Sequence, residues 1–370
     1  MKTRAAVLFE GNTHWEVVEA DLDEPRNGEV LVRMVAAGLC HSDEHLRVGD
    51  FVPRYPMVGG HEGAGIVEAV GPGVTSLAVG DHIVCSFIPS CGRCRYCATG
   101  RPNICDVGAM LLEGCLPDGT FRLHHDGLDV GGMCMLGTFS QWTVLSERSC
   151  VKIPDHVPLD KASLTSCAVP TGWGAAVHAG EVRPGDTVVV YGSGGVGINA
   201  VQGARHAGAR HVVVVDPVPF KREMAMKLGA THEAAEAGEA LDLVMELTTG
   251  QGADVSIIAV GVVGEEVARA AFDVLGKGGR EIIVGVSPPE AVNIQVPTFF
   301  LVNYEKRVQG SIFGSASPQY DPVKLLELYG EGQLHLDELI TTTYTLDQIN
   351  DGYDDLNRGR NIRGVILHEH

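Results

Sequence analysis

Apolar and polar positions change rhythm twice along the chain. From residue 187 onward, short β-branched runs alternate with longer helical stretches. The run 187–191 (TVVVY) predicts a buried parallel strand, and 211–215 (HVVVV) predicts a second. Between them lie a glycine cluster and a helical segment, 198–207, which Gly208 ends. Helices are predicted at 220–228, 241–248 and 265–275, and strands at 254–260, 281–286 and 307–313. Units of this length imply an α/β doubly wound parallel sheet with helices on both faces. Before 187 the pattern is mostly β: strands at 5–9, 30–35 (after a turn at 25–28), 66–70 and 136–144. Residues 106–137 are rich in glycine and short turns. They read as an irregular surface or pocket-rim loop, in which the paired His124 and His125 offer a metal site but are read as solvated loop histidines. After 313 come helices at 323–329 and 346–356 and a last strand at 363–368. That C-terminal piece is expected to rejoin the first region. The α/β unit is then an insertion, with domains 1–168 plus 313–370, and 169–312.

The glycine cluster carries the first chemistry. Gly192, Gly194, Gly195, Val196 and Gly197 follow a strand and open a helix, and the second strand ends on Asp216. This order is that of a dinucleotide-binding (Rossmann) unit. The glycines allow a tight turn, close approach of a pyrophosphate and close helix–sheet packing. Unpaired N–H groups at the helix start attract phosphate. Asp216 stands where a carboxylate accepts from the adenosine ribose, which favours NAD because a 2′-phosphate would meet a like charge. An ordinary glycine turn is the plain alternative, but both strands and the acid fall at the expected distances.

Composition narrows the setting. With 370 residues and 45% hydrophobic content the chain can build two cores. A net charge of -19 argues against nucleic acid or an anionic membrane as partner. No apolar run approaches the roughly 20 residues of a membrane span, and the patch 7–9 is too short for a signal peptide. A cytoplasmic protein is expected, so its 10 cysteines are read as metal ligands or reduced thiols rather than as disulfides.

Their positions separate two sets. Cys91, Cys94 and Cys97 are spaced by two residues, and Cys105 follows after a short lobe. Four thiolates make a closed tetrahedral zinc site, which is structural because no position is left for a reactant. The spacing does not match the usual ferredoxin runs. Cys40, His61 and Cys167 form a two-thiolate, one-imidazole set, which suits a catalytic zinc with its fourth position open. Each of the three also has an ordinary reading as a buried or structural residue. Cys85, Cys115, Cys134 and Cys150 are read as reduced core or loop thiols.

With these residues assembled, the chain resembles the zinc-dependent medium-chain alcohol dehydrogenases along nearly its whole length. The GHEGAG segment at 60–65, the four-cysteine lobe and GSGGVG at 192–197 occur in that family's order. Segments 1–10, 86–99, 183–189 and 361–368 are similar to the actinobacterial nitrosoaniline-dependent alcohol dehydrogenases, associated with the redox carrier mycofactocin. The resemblance implies a Rossmann sheet inserted in a mostly β, GroES-like catalytic domain, two Zn2+ per chain and tightly held NAD. It also implies an alcohol or aldehyde substrate, a small redox carrier as acceptor and a homo-oligomer. Cys40, His61 and Cys167 would ligate the catalytic zinc, with Glu62 behind it and Asp43 orienting His61. Ser42 would take the alcohol proton and pass it through the nicotinamide ribose to His45, facing solvent. His41 and Arg363 would meet the pyrophosphate, Thr171 the nicotinamide, and Asp216 with Lys221 the ribose. Phe51, Phe87, Met110, Leu136, Val286 and Ile312 would line an apolar substrate pocket suited to a primary alcohol.

Two other functions are open to the same parts. A thiol-dependent formaldehyde dehydrogenase would need a cationic rim to grip the carrier's carboxylates, for which Arg122 is the candidate. A non-catalytic nucleotide-binding redox sensor would do without the zinc ligands.

Overall fold

The computed structural model describes residues 1–370, apart from the side chain of Ala109. It divides into two compact units, Met1–Cys167 with Ser317–His370, and Ala168–Ala316. The breaks read from the sequence fall after 168 and 312.

The second unit is a six-stranded parallel sheet. Its order is His232–Ala234, His211–Val215, Thr187–Tyr191, Ala253–Ile258, Leu275–Ile283 and Arg307–Gly310. The strand order reverses beside Thr187–Tyr191, which is where doubly wound sheets bind ligands. Its central strands are buried on both faces, so they read as unbroken apolar runs rather than as alternation. Helices Gly195–His206, Ala237–Leu247 and Glu265–Asp273 cross between the strands. Helix Ala168–Gly174 and the helical turn Ala175–Ala179 escaped the sequence reading, as did two further elements. Strand His232–Ala234 is only three residues long, and helix Thr298–Asn303 buries none of its residues. The predicted helix 265–275 also runs too far, because Leu275 already begins the glycine-rich strand LGKGGREII.

The first unit holds a closed barrel of strands Lys2–Leu8, Glu16–Leu22, Leu123–His125, Leu128–Gly132 and Met57–Val58. Beside it a seven-stranded sheet runs from Cys150–Lys152 through His82–Cys85, Ala64–Val70, Glu29–Gly38 and Arg363–Leu367 to Ile340–Tyr344. Trp142–Ser146 also pairs with Glu29–Gly38. Strand Arg363–Leu367 lies antiparallel to Glu29–Gly38, so the end of the chain completes a sheet that its beginning started.

Within the segment 106–137, residues 106–122 are the short turns expected, but 123–132 are not irregular. Asp126 (φ 50°) and Gly127 (φ 78°) form a tight hairpin that returns Leu128–Gly132 antiparallel to Leu123–His125 and closes the barrel. An Asp-Gly pair between strands is the usual signal for such a turn. His124 is half-buried, with its ring nitrogens 3.0 Å from Asp129 and 3.4 Å from Asp23, so it is not a solvated loop histidine. The strand Ile340–Tyr344 was not predicted, although four β-branched residues and a tyrosine favour it.

Candidate active site and metal centres

Strand Glu29–Gly38 delivers the chain to Cys40, which caps the short helix His41–Arg47. Residues 60–63 turn the chain into strand Ala64–Val70, and Gly60 takes φ 88° there. A Cβ at Gly60 would stand 2.4 Å from Thr138 Oγ1, so the turn that presents His61 admits only glycine. Cys167 ends a turn after Leu164–Ser166, and Ser166 fastens it to the same place. The Ser166 hydroxyl accepts from Gly63 N–H and donates to Gly63 C=O, both at 2.9 Å. Nothing in the local sequence marked Ser166 beyond its adjacency to Cys167.

These elements bring donor atoms of Cys40, His61, Glu62 and Cys167 within 4.8 Å of one another, all four residues buried. Asp43, wholly buried, stands 2.9 Å from His61 Nδ1 and accepts from Gly60 N–H at 2.6 Å. A carboxylate in that place keeps the proton on Nδ1 and aims Nε2 into the cluster. His61 Nε2 is buried without a hydrogen-bond partner, an orphan that a metal ion would satisfy. The contact between the two thiols lowers Cys40 and raises Cys167, so one of the pair carries the negative charge and the other keeps its proton until a metal takes both. Burial opposes charge on His61, but Asp43, Cys40 and Cys167 hold its imidazole well above the usual histidine value. Burial pushes Glu62 up to about 7 against the pull of Arg363. The donor set therefore fits one zinc ion.

Around this cluster the other expected residues take definite places. Ser42 Oγ is 3.7 Å from Cys40 Sγ, and His45 follows it on the same helix at i+3. His45 does not face solvent as expected. It is buried, and its Nδ1 lies 2.7 Å from the Asp50 carboxylate, a partner the sequence reading missed. Arg363 is buried too, and its guanidinium donates to Glu62 Oε2. His41 is exposed at the helix start. Phe87 sets its ring edge-on to His61 at 5.7 Å, whereas Phe51 packs on His45 at 5.0 Å. Leu136 lines a small cavity with Leu22, Val58 and Val130. Met110 is half-buried, and Val286 and Ile312 are each nearly half exposed.

The second donor set is the lobe of Cys91, Cys94, Cys97 and Cys105, whose sulfurs also lie within 4.8 Å of one another. The chain winds around them so that backbone N–H groups point at sulfur. Cys91 N donates to Cys105 Sγ at 3.4 Å, Cys94 N to Cys91 Sγ at 3.3 Å and Cys97 N to Cys94 Sγ at 3.4 Å. The Cys97 and Asp106 backbone bonds bring the Cys94 thiol down to about 6. Four sulfurs with amides turned toward them fit a closed zinc site. The remaining Cys85, Cys115, Cys134 and Cys150 are unpaired and buried, and burial pushes Cys85 and Cys134 up to about 12.

In the second unit Gly192 (φ 88°) begins the turn, and a Cβ on Gly197 would lie 1.7 Å from Gly192 O. Asp216, ending strand His211–Val215, accepts from Ser193 N–H at 2.8 Å and from Val218 N–H at 2.9 Å. Its carboxylate thereby joins the strand end to the glycine turn. Gly194, Gly195 and Val196 form the start of the Gly195–His206 helix, Lys221 is half-buried on helix Pro219–Lys227, and Thr171 lies buried in helix Ala168–Gly174.

Comparison with known proteins decides the family. Residues 26–155 match the alcohol dehydrogenase GroES-like domain and residues 195–329 the zinc-binding dehydrogenase domain. The chain belongs to the zinc-binding medium-chain alcohol dehydrogenases. This dehydrogenase is 58% identical over 368 residues to the NDMA-dependent alcohol dehydrogenase of Amycolatopsis methanolica, covering 100% of this chain and 99% of that one. That likeness places it with the actinobacterial nitrosoaniline-dependent group. It is 38% identical over 380 residues to an S-(hydroxymethyl)glutathione dehydrogenase of Paracoccus denitrificans, with full coverage of both. The benzyl alcohol dehydrogenase of Acinetobacter calcoaceticus has the same fold at a TM-score of 0.93 and 30% identity, again over the whole of both chains. The dehydrogenase is thus an oxidoreductase of the zinc type, with a GroES-like domain and a Rossmann domain. Among its described residues no helix is long and apolar enough to cross a membrane.

Proposed function

We propose that this dehydrogenase oxidises a primary alcohol to the aldehyde, with NAD held tightly as hydride acceptor and two zinc ions per chain. The observation that carries this reading is the buried Cys40–His61–Cys167 set with Ser42 beside it and the orphaned His61 Nε2 aimed inward. Held by these three residues, zinc supplies Lewis-acid polarisation of the alcohol oxygen, and NAD supplies the acceptor carbon for hydride. As thiolates on zinc Cys40 and Cys167 would lend negative charge to the site, and Asp43 keeps His61 in its ligating tautomer. Ser42 takes the hydroxyl proton of the alcohol, and His45 receives it onward on the same helix face. Phe87 gives the His61 side an apolar wall that excludes water from the reacting carbon.

Asp216 supports NAD over NADP, because it is an ionisable group fixed at the strand end by two backbone N–H donors. The NDMA-dependent relative supports an artificial nitrosoaniline as working acceptor; a small redox carrier as the natural one is part of the proposal. The exposed apolar side chains Val292, Phe299 and Val302 support a homo-oligomer. The thiol-dependent formaldehyde reading loses its candidate. Arg122 is 3% exposed, and its guanidinium is taken up by Glu29 and Asp118, so it cannot grip a carrier from solvent.

Purified protein denatured in acid should release about one NAD per chain and two zinc ions. It should oxidise primary alcohols with a nitrosoaniline acceptor and no added thiol. Empty protein, or turnover only with a low-molecular-weight thiol, would overturn the reading.

A further inference from the structure

The short helix His41–Arg47 stops abruptly, and residues 48–51 wrap the chain around His45. Val48 caps the helix, and Gly49 turns the chain at φ 83°, donating to Leu46 C=O at 3.2 Å. Phe51 N–H then reaches back to His45 C=O at 3.1 Å. This closed turn swings two side chains onto one imidazole. Asp50 sets a carboxylate oxygen 2.7 Å from Nδ1, and Phe51 lays its ring 5.0 Å from the imidazole centre. The His45 side chain is 4% exposed and that of Asp50 is 28% exposed. The neighbouring acids on the helix are otherwise engaged: Asp43 with His61 and Gly60, Glu44 with Arg47 and Asn357. Asp50 thus supplies the carboxylate on this ring.

We propose that Asp50 is the positioning residue of the proton relay, acting through His45; this rests on the alcohol oxidation argued above. An ionised carboxylate can only accept, so it keeps the proton on Nδ1 and makes Nε2 the basic nitrogen. When Nε2 gains the proton passed from Ser42, the N–H bond formed there leaves an imidazolium, and the Asp50 charge stands beside it. Phe51 shields the ring face, so the pair works in a drier place than a surface histidine. The exposed edge of Asp50 keeps the pair in touch with water.

The test is a double-substitution cycle on the whole protein, read as kcat and KM with a nitrosoaniline acceptor. An amide at position 50 can present its NH2 to Nδ1 and lock the opposite tautomer. D50N should therefore lower kcat by roughly ten- to a hundredfold with KM unchanged, and D50E should recover most of it. The D50N/H45Q double variant should be no slower than H45Q. Independent of turnover, a long-range 1H–15N spectrum of wild type should show His45, assigned by its loss in H45Q, as the Nδ1–H tautomer. Wild-type kcat in D50N alongside a slow H45Q, multiplying losses in the double variant, or an Nε2–H ring in wild type would each overturn the Asp50 role. If H45Q itself turned over like wild type, the relay would fall and the Asp50 role with it.

Discussion

At the scale of single residues, the site works through pairs in which one side chain sets the state of another. Asp43 does this for His61 with no exposure to water, so its loss leaves the imidazole free to choose either tautomer. D43N should weaken zinc affinity at the Cys40 cluster by roughly ten- to a hundredfold, with folding intact. Competition against a chelator, alongside a melting curve, measures both. A second buried acid belongs to the other compact unit. Glu281, in strand Leu275–Ile283, has both carboxylate oxygens buried without a partner among the described residues. Burial pushes it up to about 7 against the pull of Lys306, from an ordinary value of 4.5. Since the folded value is the raised one, the folded state holds a proton that the unfolded chain has lost. Stability is therefore fully present below about pH 4.5 and declines as pH rises through about 7, by roughly 3 kcal/mol in all. E281Q should remove that decline and melt higher than wild type at pH 8. Equal melting of the two proteins at pH 8 would contradict it.

At the scale of elements, the four-cysteine lobe has backbone order of its own but little apolar burial under its helix. Helix Arg95–Ala98 buries none of its residues, and backbone N–H groups donate both to sulfur and to the carbonyls of Cys94, Arg95 and Tyr96. C94S should lose one zinc of two and lower the melting temperature by roughly 5 °C or more, because structural metal contributes folding free energy directly. Metal analysis should find the Cys40 cluster still loaded. The barrel hairpin teaches a different lesson. Its Asp126–Gly127 turn was visible in the sequence, but the strands flanking it are three and five residues long and half polar. Only closure with Lys2–Leu8, Glu16–Leu22 and Met57–Val58 gives them enough neighbours to form.

At the scale of the whole molecule, the two donor sets and the nucleotide turn belong to different compact units, so their losses should separate. H61A should abolish alcohol oxidation while bound nucleotide is retained. D216G should lower NAD affinity by roughly ten- to a hundredfold, since hydrogen bonds to a charged acceptor are worth about 1.5–3 kcal/mol, while both zinc ions stay. Nucleotide released on denaturation and zinc per chain, measured in both variants, decide the matter. Loss of both from either substitution would contradict this separation.

By itself the sequence determined what short-range chemistry can write. β-branched runs, the glycine turn at 192–197 and the two-residue cysteine spacing each state a local structure whose reason lies within a few neighbouring residues. Tertiary structure decided what depends on meetings across the chain. Cys40, His61 and Cys167 are brought together by three separate turns, and Ser166 fastens one to another through Gly63. Arg122 could be read as a solvent-facing cation only until Glu29, 93 residues away, was seen to bury it. His45 was placed at the surface for want of any sign that a glycine stop would fold Asp50 and Phe51 back over its ring. A side chain's partners fix its charge, tautomer and exposure. Where those partners come from distant segments, or from a turn of no regular period, no pattern along the chain records them.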